Sequence, residues 1–370
     1  EQQATLIGDR LTADTTARRV ELRSDGQTAK VVRENGVITA GHFVFDEARA
    51  SFQALGPGRA DLKAPREDRE PTDVIVTWNK SMAYDDGKEL LSFLGDVEAQ
   101  TINPNDTTRL DSEQLDLTFT AAEPAAVGEE ASPLGDRQLK SALATGDVRF
   151  EAESHETSQK DQPLTRLLLE GPSVRVDNLT ETVVVNGAGD MLIEDYRPAD
   201  NARPVQGGRA TSGLTGRGAT LFKWTESMTL DAGRSDMKMV GNVQMVHAPQ
   251  PTPDQRLVMT CNQLEADMVN AAGLGSFGEQ ADASADPDFR SLLATGNVTL
   301  RESNRRIATQ YLRYTGDDDT VVLWSDPPRL SSVSSDDRAS ALTAEKIKWD
   351  LSRDRFEAIR MGSGGLPVGR

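Results

Sequence analysis

The chain has 370 residues, enough for two or more ordinary domains or for one elongated repeat array. Only 37% of the residues are apolar and 5% aromatic, which argues against a thick aromatic enzyme core and for thin layers of Val, Leu, Ile and Met. A net charge of −18 repels nucleic acid and anionic membrane surfaces, and no stretch reaches the roughly 18–20 apolar residues of a membrane helix.

In chain order, residues 1–71 read as a partial unit. Within it, Asp46–Gly58 is a turn, a short β run and Gly-Pro-Gly. Val74, Val76 and Trp78 then share one parity, and so do Leu91, Phe93, Gly95, Val97 and Ala99. Ala144, Gly146, Val148 and Phe150 repeat the pattern. Asp177–Gly189 again gives a turn, the run Val183–Val185 and a glycine pair. Met237, Met239, Gly241, Val243 and Met245 form the next alternating set, followed by Ala294, Gly296, Val298 and Leu300. Period two places each set on one face of a sheet, with Asp96, Glu98, Asn242, Gln244 and Thr299 on the other. Hairpin turns are expected at Asp85–Gly87, Asp231–Gly233 and Gly316–Asp319, where Gly and Asp tolerate positive φ. Thr320–Trp324 with Asp326-Pro-Pro328 is a looser third version of the turn-run unit. Asp336–Ile347 is the best helical candidate, although Ala344–Trp349 also reads as a strand.

The segments repeat. Trp78-Asn-Lys-Ser-Met82 returns as Trp224-Thr-Glu-Ser-Met228, and seventeen residues after each Trp comes Gly95-Asp-Val97 or Gly241-Asn-Val243. Leu143-Ala-Thr-Gly-Asp-Val148 returns as Leu293-Ala-Thr-Gly-Asn-Val298, and Gln114-Leu115 as Gln263-Leu264, so the offsets are 146, 150 and 149 residues. Copies differ in length at matching places, Ala121–Gln138 against Asn270–Phe289 and Lys63–Pro71 against Arg197–Gly218, which read as loops. The expected organisation is 1–71, 72–217 and 218–370 as one partial and two full units of a continuous structure. Gly95, Gly146, Gly241 and Gly296 interrupt strand interiors. They mark either a bulge that curves the sheet or room for a ligand chain between two faces.

Ala294-Thr-Gly-Asn-Val298, followed by Ile307-Ala-Thr-Gln-Tyr-Leu312 and Tyr314, resembles the OstA-like family, in which a strand "a-x-G-x-V" leads to "i-x-a-x-x-l-x-Y". Ala144–Val148 matches the first strand, Gly95 and Gly241 match it more loosely, and Thr343–Trp349 resembles the second strand again. That family contains the periplasmic lipopolysaccharide-transport bridge LptA. The resemblance implies an all-β, extended antiparallel β-jellyroll (a β-taco) of repeated strand units, two sheets over an apolar groove that carries acyl chains. It further implies a periplasmic, non-enzymatic role in outer-membrane biogenesis. The partners would be lipopolysaccharide or another acyl lipid, and envelope transport proteins joined by edge-strand addition. The chain is longer than the usual bridge protein and carries acidic loops, and its start at Glu1 without Met reads as a mature or excised form.

The inward set, Phe93, Val97, Val148, Phe150, Met239, Val243, Met245, Val298 and Leu300, is the candidate lipid groove. The same residues also serve a plain alternative, a filled sandwich or solenoid acting as a structural envelope scaffold. No catalytic residue, metal site or cofactor is expected: His42, His155 and His247 are far apart, and phosphate-loop, dinucleotide and HExxH patterns are absent. Asp317–Asp319 reads as a solvated turn, and Trp78 and Trp224 as repeat-equivalent packing residues. A single cysteine, Cys261, excludes an intrachain disulfide and is expected to be small and half-buried in its strand.

Overall fold

The computed structural model describes residues 4–361 apart from 27, 34–35, 65–71, 104, 121–137, 157–158, 197–216, 251–252, 254–255, 270–287 and 337. The expected loop insertions fall almost wholly outside the described residues. The chain divides into two compact units, one of Glu1–Ala152, Glu170–Val183 and Ser276–Glu279, the other of Glu153–Leu169, Val184–Gly275 and Gln280–Arg370.

The chain is all-β and antiparallel, as the alternation and turn chemistry predict. In order the strands are β1 (Thr5–Ile7), β2 (Arg10–Asp14), β3 (Arg19–Arg23), β4 (Ala29–Arg33), β5 (Gly36–Asp46), β6 (Ser51–Ala64), β7 (Thr72–Trp78), β8 (Ser81–Asp85), β9 (Leu90–Ile102) and β10 (Asp106–Phe119). There follow β11 (Leu139–Glu156), β12 (Gln159–Asp177), β13 (Thr182–Asn186), β14 (Gly189–Asp195), β15 (Gly218–Trp224), β16 (Ser227–Asp231), β17 (Asp236–Pro249) and β18 (Leu257–Val269). The last are β19 (Asp288–Glu302), β20 (Arg305–Thr315), β21 (Thr320–Trp324), β22 (Ser331–Ser335), β23 (Arg338–Asp350) and β24 (Arg355–Met361). The helical candidate at Asp336–Ile347 is corrected, since that stretch lies almost entirely within β23.

Runs of long strands are separated by pairs of short ones. The first half of β17 pairs with β16 and the second half with β15. Likewise β9 pairs with β8 and then β7, and β20 with β22 and then β21. Each long strand therefore crosses a corner and contributes one half to either of two layers. Phe222 on β15 meets Phe289 on β19 edge-on at 6.0 Å, although those strands are not hydrogen-bonded neighbours. This contact joins the layers of the second unit across its interior. In the first unit, Trp78 on β7 tilts over Phe93 at 5.5 Å.

The corner is built by the glycines. Gly95, Gly146, Gly241 and Gly296 have φ of +88°, +79°, +88° and +76°, and each is followed by Asp96, Asp147, Asn242 or Asn297 at φ between +43° and +51°. Two successive left-handed residues insert one extra residue into the strand: Val240 and Val243 face Gln263 and Cys261, three steps against two. Of the two readings of these glycines, the bulge is the one observed. Strands that carry it keep their parity over the corner, with inward residues spaced by four, as at Phe93 and Val97, Met239 and Val243, or Ala294 and Val298. The intervening strands cross with a spacing of three, as at Ser112 and Leu115, Cys261 and Leu264, or Thr309 and Leu312.

The two copies build this corner alike. After Trp78 the amides of Asn79 and Lys80 donate to the carbonyls of Gly95 (2.6 Å) and Leu94 (3.0 Å). After Trp224 those of Thr225 and Glu226 donate to Gly241 (2.8 Å) and Val240 (3.1 Å). Trp78 Nε1 donates to the Gly56 carbonyl at 3.1 Å and Trp224 Nε1 to that of Gly187 at 3.0 Å, so each buried indole has its partner. These tryptophans are corner clamps as well as core residues.

Candidate functional site

The interior of the second unit is a set of apolar rungs crossing the strands. One layer carries Met228, Met239, Leu264, Ala294, Leu312, Leu323 and Ile347 as successive cross-strand neighbours on β16–β21 and β23. The next rung of that layer runs Leu230, Met237, Ala266, Leu292, Tyr314, Val321 and Trp349. The other layer carries Phe222, Met245, Met259, Leu300 and Ile307. In the first unit the corresponding rung is Leu22, Phe43, Ala54, Met82, Phe93 and Leu115. Small alanines between large side chains let opposed rungs interdigitate.

Of the residues expected in the groove, Phe93, Val97 and Val148 are buried in the first unit, and Met239, Val243, Met245, Val298 and Leu300 in the second, none above 2% exposed. Phe150 is half-buried. The interior also holds Met237, already in the alternating set of its strand, and Met228, Met259, Met268, Leu264 and Leu312; the last four lie on three-spaced strands, where a strict period-two reading follows only half of each strand. Methionine shares the second unit's interior with leucine, and Met191 joins those already named.

Cys261 and His247 sit within that apolar set. Cys261, beside Val243 across the ladder, is buried at 4% exposure rather than half-buried, and burial pushes its thiol up to about 12. Because the thiolate is the reacting species, modification by a disulfide reagent at neutral pH should run at least about 100-fold slower in the native chain than in urea. Equal rates would show that the interior opens freely. His247 is 1% exposed, its Nδ1 is 2.8 Å from Thr220 Oγ1, and burial holds its pKa below the ordinary imidazole value. The unfolded chain therefore binds the proton more readily, so stability from this group is present above pH ~6.5 and is lost as pH falls below it, by at most about 1.4 kcal/mol per pH unit. Urea melts at pH 7.5 and 5.5 should show that loss, and His247→Gln should flatten it. The variant separates His247 from Glu302, whose carboxyl is pushed upward by burial and whose titration acts with the opposite sign.

No family model matches the chain, and no curated protein matches it. One solved structure similar to part of it is LptH, the LptA-homologous periplasmic component of the conserved lipopolysaccharide transport device from Pseudomonas aeruginosa. The identity is 11% and the TM-score 0.27, over 37% of this chain and 94% of that one.

The outer surfaces are charged and paired. Arg18 with Glu47, Arg109 with Glu98 and Asp111, Lys238 with Glu265, and Arg306 with Asp336 form cross-strand or local ion pairs. Such exposed pairs add little stability each but keep the faces soluble. At the N-terminal end β1 and β2 are exposed along their length, with Leu6, Ile7 and Leu11 uncovered. At the C-terminal end β24 pairs with β23 and exposes Ile359. Among the described residues no helix is long and apolar enough to cross a membrane.

Proposed function

We propose that the chain is an envelope lipid-handling protein that shelters acyl chains between the two layers of its jellyroll and works in the periplasm. The observation that carries this reading is the methionine-lined interior. Met239, Met245, Met259 and Met268 are each buried to 1% exposure or less. Their unbranched, polarizable side chains adapt to an irregular apolar guest. Each methylene sheltered contributes about 0.8 kcal/mol, so a few acyl chains need no polar recognition to bind. The OstA-like strand motif supports the same reading, with lipopolysaccharide or a related acyl lipid as cargo. The exposed strands β1, β2 and β24 would meet transport partners by adding edge to edge.

The test places photo-crosslinking residues at Val243 and Val298, which face inward, and at Gln244, which faces out. Lipid captured at the first two and not at the third is the expected result, together with bound lipid in native mass spectra. Equal labelling at all three positions sinks the reading. A second reading is favoured by one observation, the near-complete burial of the inward residues by the chain itself. The interior would then be a permanently filled core and the chain a non-catalytic scaffold, with lipid-free spectra and no crosslinks.

A further inference from the structure

One cavity lies outside the space between the layers. It is an open groove of about 580 Å³ on the second unit, running along the outer side of the corner, across the bend of four neighbouring strands. Its polar wall is made by Glu226, Asn242, Asn262, Gln263 and Thr295, its floor by Gly241 and Gly296, and one end by Tyr311. Among the described lining residues Glu226 is the one charged side chain, and it is acidic. A phosphate would meet no cation there, and an acyl chain would meet mostly polar atoms. Side-chain amides offer both donors and acceptors, the complement of a ligand rich in hydroxyl groups.

The groove is organised beyond mere polarity. Gln263 Nε2 is committed to Glu265 Oε1 at 2.8 Å, which orients its carbonyl as the free acceptor. Asn242 Nδ2 has only a long approach to Thr225 Oγ1, 3.5 Å. The Tyr311 ring lies flat on Trp324, with centroids 5.1 Å apart and planes 13° apart, and its hydroxyl donates to Asp326 Oδ2 at 3.1 Å. It is a stiffly held aromatic wall at the end of a row of amides.

The repeat supplies an internal control. At the matching corner of the first copy, Lys80 stands for Glu226, Asp96 for Asn242 and Glu113 for Asn262. The backbone does not require the change, because Asp96 at φ +44° and Asn242 at φ +43° adopt the same conformation. The fold tolerates either set, so the neutral amides of the second corner need a reason other than the bend.

We infer that this groove is a saccharide-binding site, taking a neutral, hydroxyl-rich pyranose chain across the strands with one ring against Tyr311. The inference does not depend on acyl chains entering the interior.

The test uses the full chain and free neutral tetrasaccharides of glucose and of N-acetylglucosamine, none carrying an acyl group. Saturation-transfer NMR and calorimetry are expected to show binding by at least one. Asn262→Ala and Tyr311→Ala should each weaken it about tenfold, the equivalent of one lost contact of about 1.4 kcal/mol. Tyr311→Phe, which keeps the ring on Trp324, and Gln244→Ala should stay within about twofold, since neither removes such a contact. Because Asn262 is exposed, an unchanged melting curve shows that its variant is folded. A glycolipid with the same sugar, tested alongside, separates the two sources. Variants that weaken both ligands assign the groove to glycolipid heads, and variants that weaken only the free sugar assign it to free glycans. The inference is overturned if no neutral saccharide binds at millimolar concentration. It is equally overturned if binding survives both alanine variants.

Discussion

Gly241→Val is expected to destabilise the chain by about 3 kcal/mol, because a β-branched residue is strained at a left-handed backbone position and has no room there. A Cβ at position 241 would lie 2.6 Å from both Glu226 Cγ and Thr225 Oγ1, and 2.9 Å from the Glu226 backbone nitrogen. The strand cannot relax by returning to an extended conformation, since that would remove the extra residue and slip the register on one side of the corner. Gly296→Val should cost less, about 2 kcal/mol, because its nearest neighbour is the Asn262 side chain, which is exposed and can swing away. Asn242→Gly next door should be neutral within about 0.5 kcal/mol, since glycine accepts φ of +43° and the side chain's one bond is long. Urea titrations monitored by circular dichroism check all three. A Gly241→Val variant as stable as the parent would show that the corner has another solution.

The second large effect is expected at Met239, at the centre of a rung between Met228 and Leu264 and fully buried. Truncation to Ala should cost about 3 kcal/mol, from lost apolar burial plus the cavity left behind. Met239→Leu conserves volume and should cost less than about 1.5 kcal/mol. Met239→Asp should prevent folding, because no cation lies within that rung to pair with a buried carboxylate. The same pair of variants bears on function. If the interior works by yielding to a guest, Leu at this position should keep stability while weakening lipid capture, because a branched side chain fills the space but adapts less. If the interior is a fixed core, Leu should change neither.

Much of this architecture is readable from the residues, and the part that is not has one cause. The Gly-Asp/Asn strands keep inward residues at an even spacing even across a bulge, so Phe93, Val97, Met239, Val243, Val298 and Leu300 stand out by simple alternation. The strands between them cross the corner with a spacing of three, which shifts parity halfway along. Leu110 and Leu115, or Met259 and Leu264, then fall on opposite parities although both face inward. A period-two template sees half of each such strand and discards the rest. The same shift explains the helical reading of Asp336–Ile347. Ala344 and Ile347 are inward in β23 and three residues apart, a spacing that a helix also gives. The polar groove was not legible because its members come from corners of different strands, each unremarkable alone. Only folding sets Glu226, Asn242, Asn262 and Tyr311 in a row.

The alternation of four-spaced and three-spaced crossings also governs how such a chain can grow. A strand with the bulge fits only beside strands without it, because the extra residue must lie opposite a strand that lacks one. Inserting a single strand would set two of a kind side by side and turn one of them inside out beyond the corner. Length can therefore be gained only in pairs of crossings, one of each type at a time, and a duplication that copied an odd number of crossings would set two of a kind side by side. Gene duplication acting on this fold is quantised.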